Sequence, residues 1–596
     1  MARHSSRLRK IPFLRKFTSH KHQAEPSFGV RVEDAAERYF FKRFDRLPVV
    51  RRFVIGWLLL FVLLWGCLVG QIRALDGHFQ SLQPIPGGIY TEGIVGDFTN
   101  ASPLYATSQV DQSVSHLLFA SLFKYDDSNH LVGDLASGYS VDSTGKVYTV
   151  QLKPNLIWQD GVPLTAQDVA FTYGIIQNPD ALSVLNKSWQ GIKVAAVNDS
   201  SVTFTLPNVL GSFPYNMTNG IIPEHLLKSV APGEMRSVSF NTENPVGAGP
   251  FSWHTIEVTG ESPETRQSQI AMSPFNQYNG GAPKLASFVI HAFHNADQLD
   301  ASFRKQELTA ANFTDIPKDT ADNKAIVTND FLLSAADMVF FKQANPILAD
   351  VAVRKALVQS VNVDAIIDNL GYATRPVRGP FLLGQLGYDK TQTQPAFDTA
   401  VAAAKLDAAG WTPRGDGIRT KAGKPLQFTL YAQNMSESRL VSDQLVRAWR
   451  SIGVKVTVRL QSSEDLQRSI AGREYDALLY GISIGTDPDV FVYWHSSQYD
   501  VRSSGLNFAG YKSKAADVSL EAGRTRIEPD LRVVKYKPFL QAWQQDTPAL
   551  GLYQPRFDYL THGTVYGLKT HTLNSNIDRF SNVQNWEIRQ ADITNH

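Results

Sequence analysis

Eighteen consecutive residues without a charge, Phe53 to Gly70 (FVIGWLLLFVLLWGCLVG), follow directly on Arg51-Arg52. As an α-helix at about 1.5 Å per residue they span about 27 Å, close to the roughly 30 Å of a bilayer core. Twelve of them are Phe, Val, Ile or Leu. Each favours insertion by roughly 0.3–0.6 kcal/mol, and no charge opposes it. Such a run either crosses a membrane or is removed as a signal. The 52 residues before it are far longer than the basic leader of a signal peptide, which selects a retained anchor. They hold fourteen Lys or Arg against five acids, Glu25, Glu33, Asp34, Glu37 and Asp45. That excess sets the orientation. Residues 1–52 are expected as a cytoplasmic basic tail, 53–70 as a single transmembrane helix against lipid, and the large C-terminal part as extracytoplasmic. Within the tail, Val32, Ala36, Tyr39, Phe40 and Phe44 fall at helical spacing among Arg31, Arg38, Lys42, Arg43 and Arg46. An interfacial helix on anionic lipid and a solvated basic tail both fit.

The chain has 58 basic and 56 acidic residues, so the part after Arg52 keeps 44 and 51, a net charge of −7. It lacks the positive field that nucleic acid requires, and nucleic acid is not expected as a partner. With 596 residues, 43% hydrophobic and 19% charged, the composition is globular and the length exceeds one hydrophobic core. At least two lobes are expected. Cys67 is the only cysteine, which excludes an intrachain disulfide. Its setting, Leu64-Trp65-Gly66-Cys67, is similar to the box at which bacterial lipoproteins are lipidated. Trp65 is too large for that pattern, so Cys67 reads as a small apolar residue within the anchor.

Beyond a polar stretch at 71–87, read as a linker, local signals agree with one another. Tyr148, Val150 and Leu152 alternate with Val147, Thr149 and Gln151 as a half-buried strand, and Asp160-Gly161 makes a turn. A helix follows, with Thr165 as N-cap, Asp168 at the capping-box position, and Leu164 and Val169 as a hydrophobic staple. Val202, Phe204 and Leu206 read as a strand. Pro346 to Gly371 reads as two helices, the second capped at Asn362, and Asp398 to Gly410 as another. Val441, Leu445, Ala448, Trp449 and Ile452 form a helical stripe that stops at Gly453. The period then changes from 3.6 to 2 through Val454, Val456, Val458 and Leu460. Helix running into strand is α/β grammar.

Several runs carry a resemblance. Leu118 to Phe123 with Gly133 to Ala136, Trp158-Gln159-Asp160-Gly161-Val162-Pro163-Leu164-Thr165-Ala166-Gln167-Asp168-Val169, Asn244 to Phe251, Val353 to Leu357 with Val363 to Ile367, Ala402 to Trp411, Ile452 to Val456, Asp487-Pro488 and Asn507 to Tyr511 occur in this order. Together they resemble the bacterial extracellular solute-binding proteins of family 5, which serve oligopeptide, dipeptide and nickel ABC importers. The resemblance implies an α/β, two-lobe, periplasmic-binding-protein-like fold of the large peptide-binding class (type II). It implies lobe 1 at 88–335 with a subdomain near 112–205, lobe 2 at 336–551, and a return to lobe 1 at 552–596. It implies a substrate-binding component that captures peptides or related solutes by hinge closure, partnered by ABC permease and ATPase subunits, with no cofactor and no catalysis. The residues expected to line the cleft are Glu92, Phe340, Tyr480, Ile482, Ser483, Ile484, Thr486, Asp487, Trp494 and Asn507. In peptide-binding members an Asp four residues before the Pro pairs with the ligand ammonium, and a Trp lies three residues earlier. Counting back from Pro488 these places hold Ile484 and Gly481. The usual anchor is absent unless Asp487 takes its role, and an N-blocked, internal or non-peptide ligand is expected.

Two other functions compete. Gly481-Ile482-Ser483-Ile484-Gly485 fits G-x-S-x-G, and Asp487 and His495 follow in the order of a hydrolase triad. The helix that should follow the nucleophile is interrupted by Thr486-Asp487-Pro488, since Pro488 disfavours helical geometry at Asp487. A membrane-anchored sensor or adhesion module that reuses the fold is the other alternative. No H-E-x-x-H, C-x-x-C or phosphate loop occurs, so neither a metal held by the chain's own side chains nor ATP hydrolysis is expected, while the resemblance leaves a nickel chelate open as a ligand. His291 and His294 lie on an alternating segment that would turn them to opposite sides.

Overall fold

The structure, a computed structural model, describes residues 47–594 other than 263, 314 and 501–504. The basic tail and its amphipathic segment therefore lie outside the described residues up to Arg46. The chain divides into two compact units, residues 1–83 with 591–596, and residues 84–590.

In the first unit a 33-residue helix, Leu47–Phe79, carries the apolar run. Its segment Arg51–Arg73 is long and apolar enough to cross a membrane, and none of it is buried. The expected linker at 71–87 is corrected: the helix continues to Phe79, and Gln80–Ile85 forms a two-stranded sheet with Arg589–Thr594. Residues 71–79 contain one Gly and no Pro, so nothing halts helical hydrogen bonding until Pro84 and Gly87 are near.

In the second unit the chain lays down strand β1 (Ile89–Val95), then the strands Ala136–Val141 (β2), Val147–Leu152 (β3), Lys193–Asn198 (β4) and Ser201–Thr205 (β5). It continues through Phe251–Thr259 (β6), Gln267–Pro274 (β7), Ser287–Phe293 (β8), Ala310–Phe313 (β9) and Ile326–Leu332 (β10). There follow Ala335–Phe341 (β11), Gln427–Gln433 (β12), Lys455–Gln461 (β13), Ala477–Ser483 (β14), Ala549–Tyr553 (β15) and Arg556–His562 (β16). Three sheets result. The first runs β10-β16-β9-β1-β8-β7-β6, the second β13-β12-β14-β11-β15, and the third, a four-stranded insertion, β2-β3-β5-β4.

In the first sheet β1 pairs in parallel with β8 and β9, and β16 is antiparallel to β9 and β10. Tyr90, Phe288, Ile290 and Trp586 pack on one face, and Phe293, Leu299 and Phe303 pack on the other. A strand covered on both faces reads as a continuous apolar run. Gly93 is required here: a Cβ would lie 2.4 Å from Leu299 and 2.6 Å from Leu308.

The insertion shows how the longest sequence motif works. Thr165 and Asp168 form the reciprocal capping box of helix Ala166–Gln177. Buried Asp168 also accepts from Glu224 N at 2.9 Å, fixing the next segment to the helix start. The Gln159 side chain donates to Leu118 O at 3.1 Å and Phe251 O at 2.7 Å and accepts from Gly247 N at 2.9 Å. It thereby ties the insertion to β6.

In the second sheet β12 is parallel to both β13 and β14, while β11 is antiparallel to β14 and β15. Helix Ser436–Ser451 buries Val441, Leu445 and Trp449 on one face. The other face holds Phe340, Trp494 and Trp543, covered by helices Lys514–Arg524 and Pro529–Asp546. Each sheet has its own apolar core, which makes two α/β lobes.

Candidate ligand-binding site

The chain passes between the two large sheets twice. It leaves the first through Leu333-Ser334 and returns through Gln554-Pro555. These two-residue crossings are joined: Leu333 N donates to Pro555 O at 2.9 Å, and the Gln554 amide donates to Leu333 O at 3.1 Å. Ile484 N and Gly485 N, just past β14, both donate to Ser334 O, at 2.9 and 2.8 Å. Further contacts cross the gap between lobes. Ser436 donates to Asp315 at 2.6 Å, Ser212 to Asp489 at 3.1 Å, and Gly211 N to Arg524 O at 2.8 Å.

Two cavities, of about 700 and 710 Å³, flank the crossings. The first is acidic, with Asp315, Asp337, Glu437 and Asp558 on its wall beside Arg556, Tyr372 and Tyr553. Tyr553 and Tyr372 donate to the two Glu437 oxygens at 2.8 and 3.1 Å. The Arg556 guanidinium pairs with Asp558 and lies 4.1 Å over the Tyr372 ring. Burial, and then the charge of Glu437, push the Asp337 carboxyl up to about 7, although the neighbouring Tyr553 hydroxyl opposes them. Burial also raises Asp558 to about 6; Arg556 offsets this, while Glu437, Asp330 and Asp315 add to it. Negative charge is concentrated here beyond what Arg556 neutralises.

The second cavity has different chemistry. Its wall includes Asn129, Arg375, Thr486, Asp487, Arg532 and His571. Asp487 accepts both Arg532 terminal nitrogens, at 2.6 and 2.7 Å, and Asp489 N at 2.9 Å. Burial works against the Arg532 charge, but the hydrogen bonds and charge of Asp487 outweigh it and push the guanidinium pKa up. The pair is bidentate and 5% and 9% exposed at its side chains, the geometry in which an Arg–carboxylate pair is strong.

Of the residues expected in the cleft, Tyr480 lines the acidic cavity, and Thr486 and Asp487 line the other. Six are corrected. Glu92 is fully enclosed on the central strand β1, where it accepts from Tyr559 at 2.6 Å and from Arg579 at 2.5 Å. Phe340 and Trp494 pack together at 5.7 Å in the core of the second lobe. Ile482 and Ile484 belong to that core too. Asn507 is fully buried and staples a loop, donating to His495 O and Tyr511 O at 3.1 and 2.8 Å. Ser483 is exposed and lines neither cavity; its carbonyl accepts from Tyr493 at 2.6 Å.

The geometry does not assemble a triad from Ser483, Asp487 and His495. Asp487 is held by Arg532, and the His495 ring nitrogens face Ser497 at 2.8 Å and Glu521 at 3.2 Å. Nor is Asp487 left free as an ammonium anchor. Gly481, where the resemblance places a Trp, has a physical reason for its size: a Cβ would lie 2.6 Å from the Asp337 carboxylate. Asp337, Tyr372, Glu437, Arg556, Asp558, Arg375, Arg532 and His571 were not legible as site residues. They come from six segments spread over more than two hundred positions, and the one sequence signal was the clustering of Arg556 and Asp558 beside the crossing at Pro555.

Comparison with known proteins agrees with this architecture. The chain is 26% identical over 509 residues to the oligopeptide-binding protein AppA of Bacillus subtilis, covering 82% of this chain and 90% of that one. It is 27% identical over 486 residues to protein XP55 of Streptomyces lividans, covering 79% and 82%. Among solved structures, NikZ from Campylobacter jejuni in complex with Ni(L-His) superposes with a TM-score of 0.69 at 25% identity, over 84% of this chain and 99% of that one. The binding protein CtaP from Listeria monocytogenes superposes with a TM-score of 0.72 at 21% identity, over 84% and 99%. A family model matches residues 130–503, more than half the chain and the whole of β12 to β14. The chain belongs to the bacterial extracellular solute-binding proteins, family 5.

Proposed function

We propose that this chain is the extracytoplasmic substrate-binding component of an ABC importer and captures a peptide or peptide-like solute by closure of its two lobes. The observation that carries this reading is the pair of cavities at two short, mutually hydrogen-bonded crossings between separate α/β cores. Two-residue connections absorb a rotation with few dihedral changes, and a ligand shifts closure only by its differential affinity for the closed state. Relatives point to the solute class: the B. subtilis AppA structure holds a nonapeptide, and the Helicobacter pylori DppA structure holds the peptide STSA. The lobes in this reading are 88–335 and 552–596 against 336–551, with the subdomain at 112–205. The helix at 53–70 lies in lipid, the N-terminus is cytoplasmic, and permease and ATPase subunits are the partners. The chain itself performs no catalysis.

The test measures distance across the cleft in the full chain in lipid nanodiscs. Spin labels are placed at Lys193→Cys and Lys424→Cys, both exposed, with Cys67→Ala removing the native thiol. A peptide mixture that raises the unfolding midpoint is expected to shorten the distance distribution. An unchanged distribution under the same saturation rejects hinge capture.

A further inference from the structure

The cavity that holds Asp487 has an imbalance of hydrogen-bonding groups. Asp487 is the only carboxylate on its wall, and both its oxygens are taken by Arg532 and Asp489 N. Three nitrogen sites on the same wall lack partners among the described residues. The Arg375 guanidinium makes no hydrogen bond or ion pair, although its backbone is fixed, its carbonyl accepting from Gln554 N at 3.0 Å at the return crossing. The His571 ring directs Nδ1 to Lys569 O at 2.9 Å, and because a carbonyl only accepts, Nδ1 carries a proton; the buried Nε2 has no partner. Arg532 spends its two terminal nitrogens on Asp487 while its Nε is buried and unpaired. The buried, unpaired Arg532 Nε–H costs free energy, and an oxyanion is an acceptor that satisfies it together with the Arg375 guanidinium; His571 Nε2 joins as a donor only in the doubly protonated ring.

We propose that this cavity binds a carboxylate of the solute, with Arg375 as its main ion-pair partner and His571 beside it, and that no side chain here recognises a free ammonium. The inference rests on the peptide reading above and adds to it the end by which the peptide is read. Arg375 makes two roles compatible. Exposed in this structure, it is hydrated until a ligand enters, and its anchored backbone keeps it at the mouth of the cavity. The guanidinium fork matches a carboxylate in two parallel hydrogen bonds.

The experiment uses the full chain in nanodiscs of uncharged phosphatidylcholine and a tryptic digest of casein in three forms: untreated, N-acetylated and methyl-esterified. Retained peptides are recovered and identified by mass spectrometry, then synthesised for calorimetry. The untreated and acetylated digests are expected to raise the unfolding midpoint and to leave peptides bound, and the esterified digest is not. Arg375→Gln is expected to weaken a retained peptide roughly 10- to 100-fold, with Arg375→Lys recovering part of the loss and the unfolding midpoint of the unliganded protein unchanged. Retention of esterified peptides as well as untreated ones, loss of binding on acetylation, or no effect of Arg375→Gln each overturns the proposal while the peptide reading stands. No response to any digest overturns the peptide reading and this proposal with it.

Discussion

Asp337 shows how a single residue acquires its properties from neighbours far away in the chain. It sits on β11, its carboxylate lies against Gly481, and Glu437 at the start of helix Ser436–Ser451 adds negative charge beside it. Burial and that charge raise it to about 7 from an ordinary 3.8. A carboxyl that binds its proton more tightly in the folded state favours folding below its unfolded pKa, and that contribution is lost as pH rises through the folded value. The window is therefore about pH 4 to 7. Asp337→Asn is expected to stabilise the protein at pH 8 relative to pH 5 by on the order of 2 kcal/mol, read from urea unfolding at the two pH values. Equal changes at both pH values contradict the assignment. Asp558, raised to about 6, leaves a smaller residual slope in the variant.

At the scale of the element, the helix Ala166–Gln177 depends on its first turn. Thr165 N donates to Asp168 at 2.8 Å, and Glu224 N donates to the other oxygen of the same carboxylate at 2.9 Å. Two backbone donors of different segments are thus satisfied by one buried charge. Thr165→Ala removes only the local cap and is expected to cost about 1 kcal/mol. Asp168→Ala leaves both donors buried and unpaired and is expected to cost about 2–3 kcal/mol. Chemical denaturation of both variants orders the two effects, and the reverse order refutes the shared-acceptor account. The helix is legible in sequence because cap, box and staple lie within five residues. The role of Gln159, whose side chain reaches four distant backbone groups, is not.

For the whole molecule, the charge step at Arg51-Arg52 and the apolar helix after it predict topology. Protease added to spheroplasts is expected to digest the part beyond Arg73 while sparing an epitope near Met1. Protection of the C-terminal part reverses the orientation.

The sequence by itself determined the apolar helix long enough to cross a membrane, the capped helices, the alternating strands and the α/β grammar, because each is written by residues close to one another in the chain. It determined less of the site. Glu92 was expected in the cleft, and only the sheet order, with β1 in the centre, enclosed it with Arg579, a partner 487 positions away. Phe340 and Trp494 are aromatic whether they line a cleft or fill a core, and the packing of two helices over that face decided for the core. Asp487 kept its carboxylate in the sequence and lost its availability to Arg532 in the fold. Hydrogen bonding within a segment follows from local spacing; which charges meet across a cavity follows from how two sheets are crossed, and that is fixed only when the lobes are assembled.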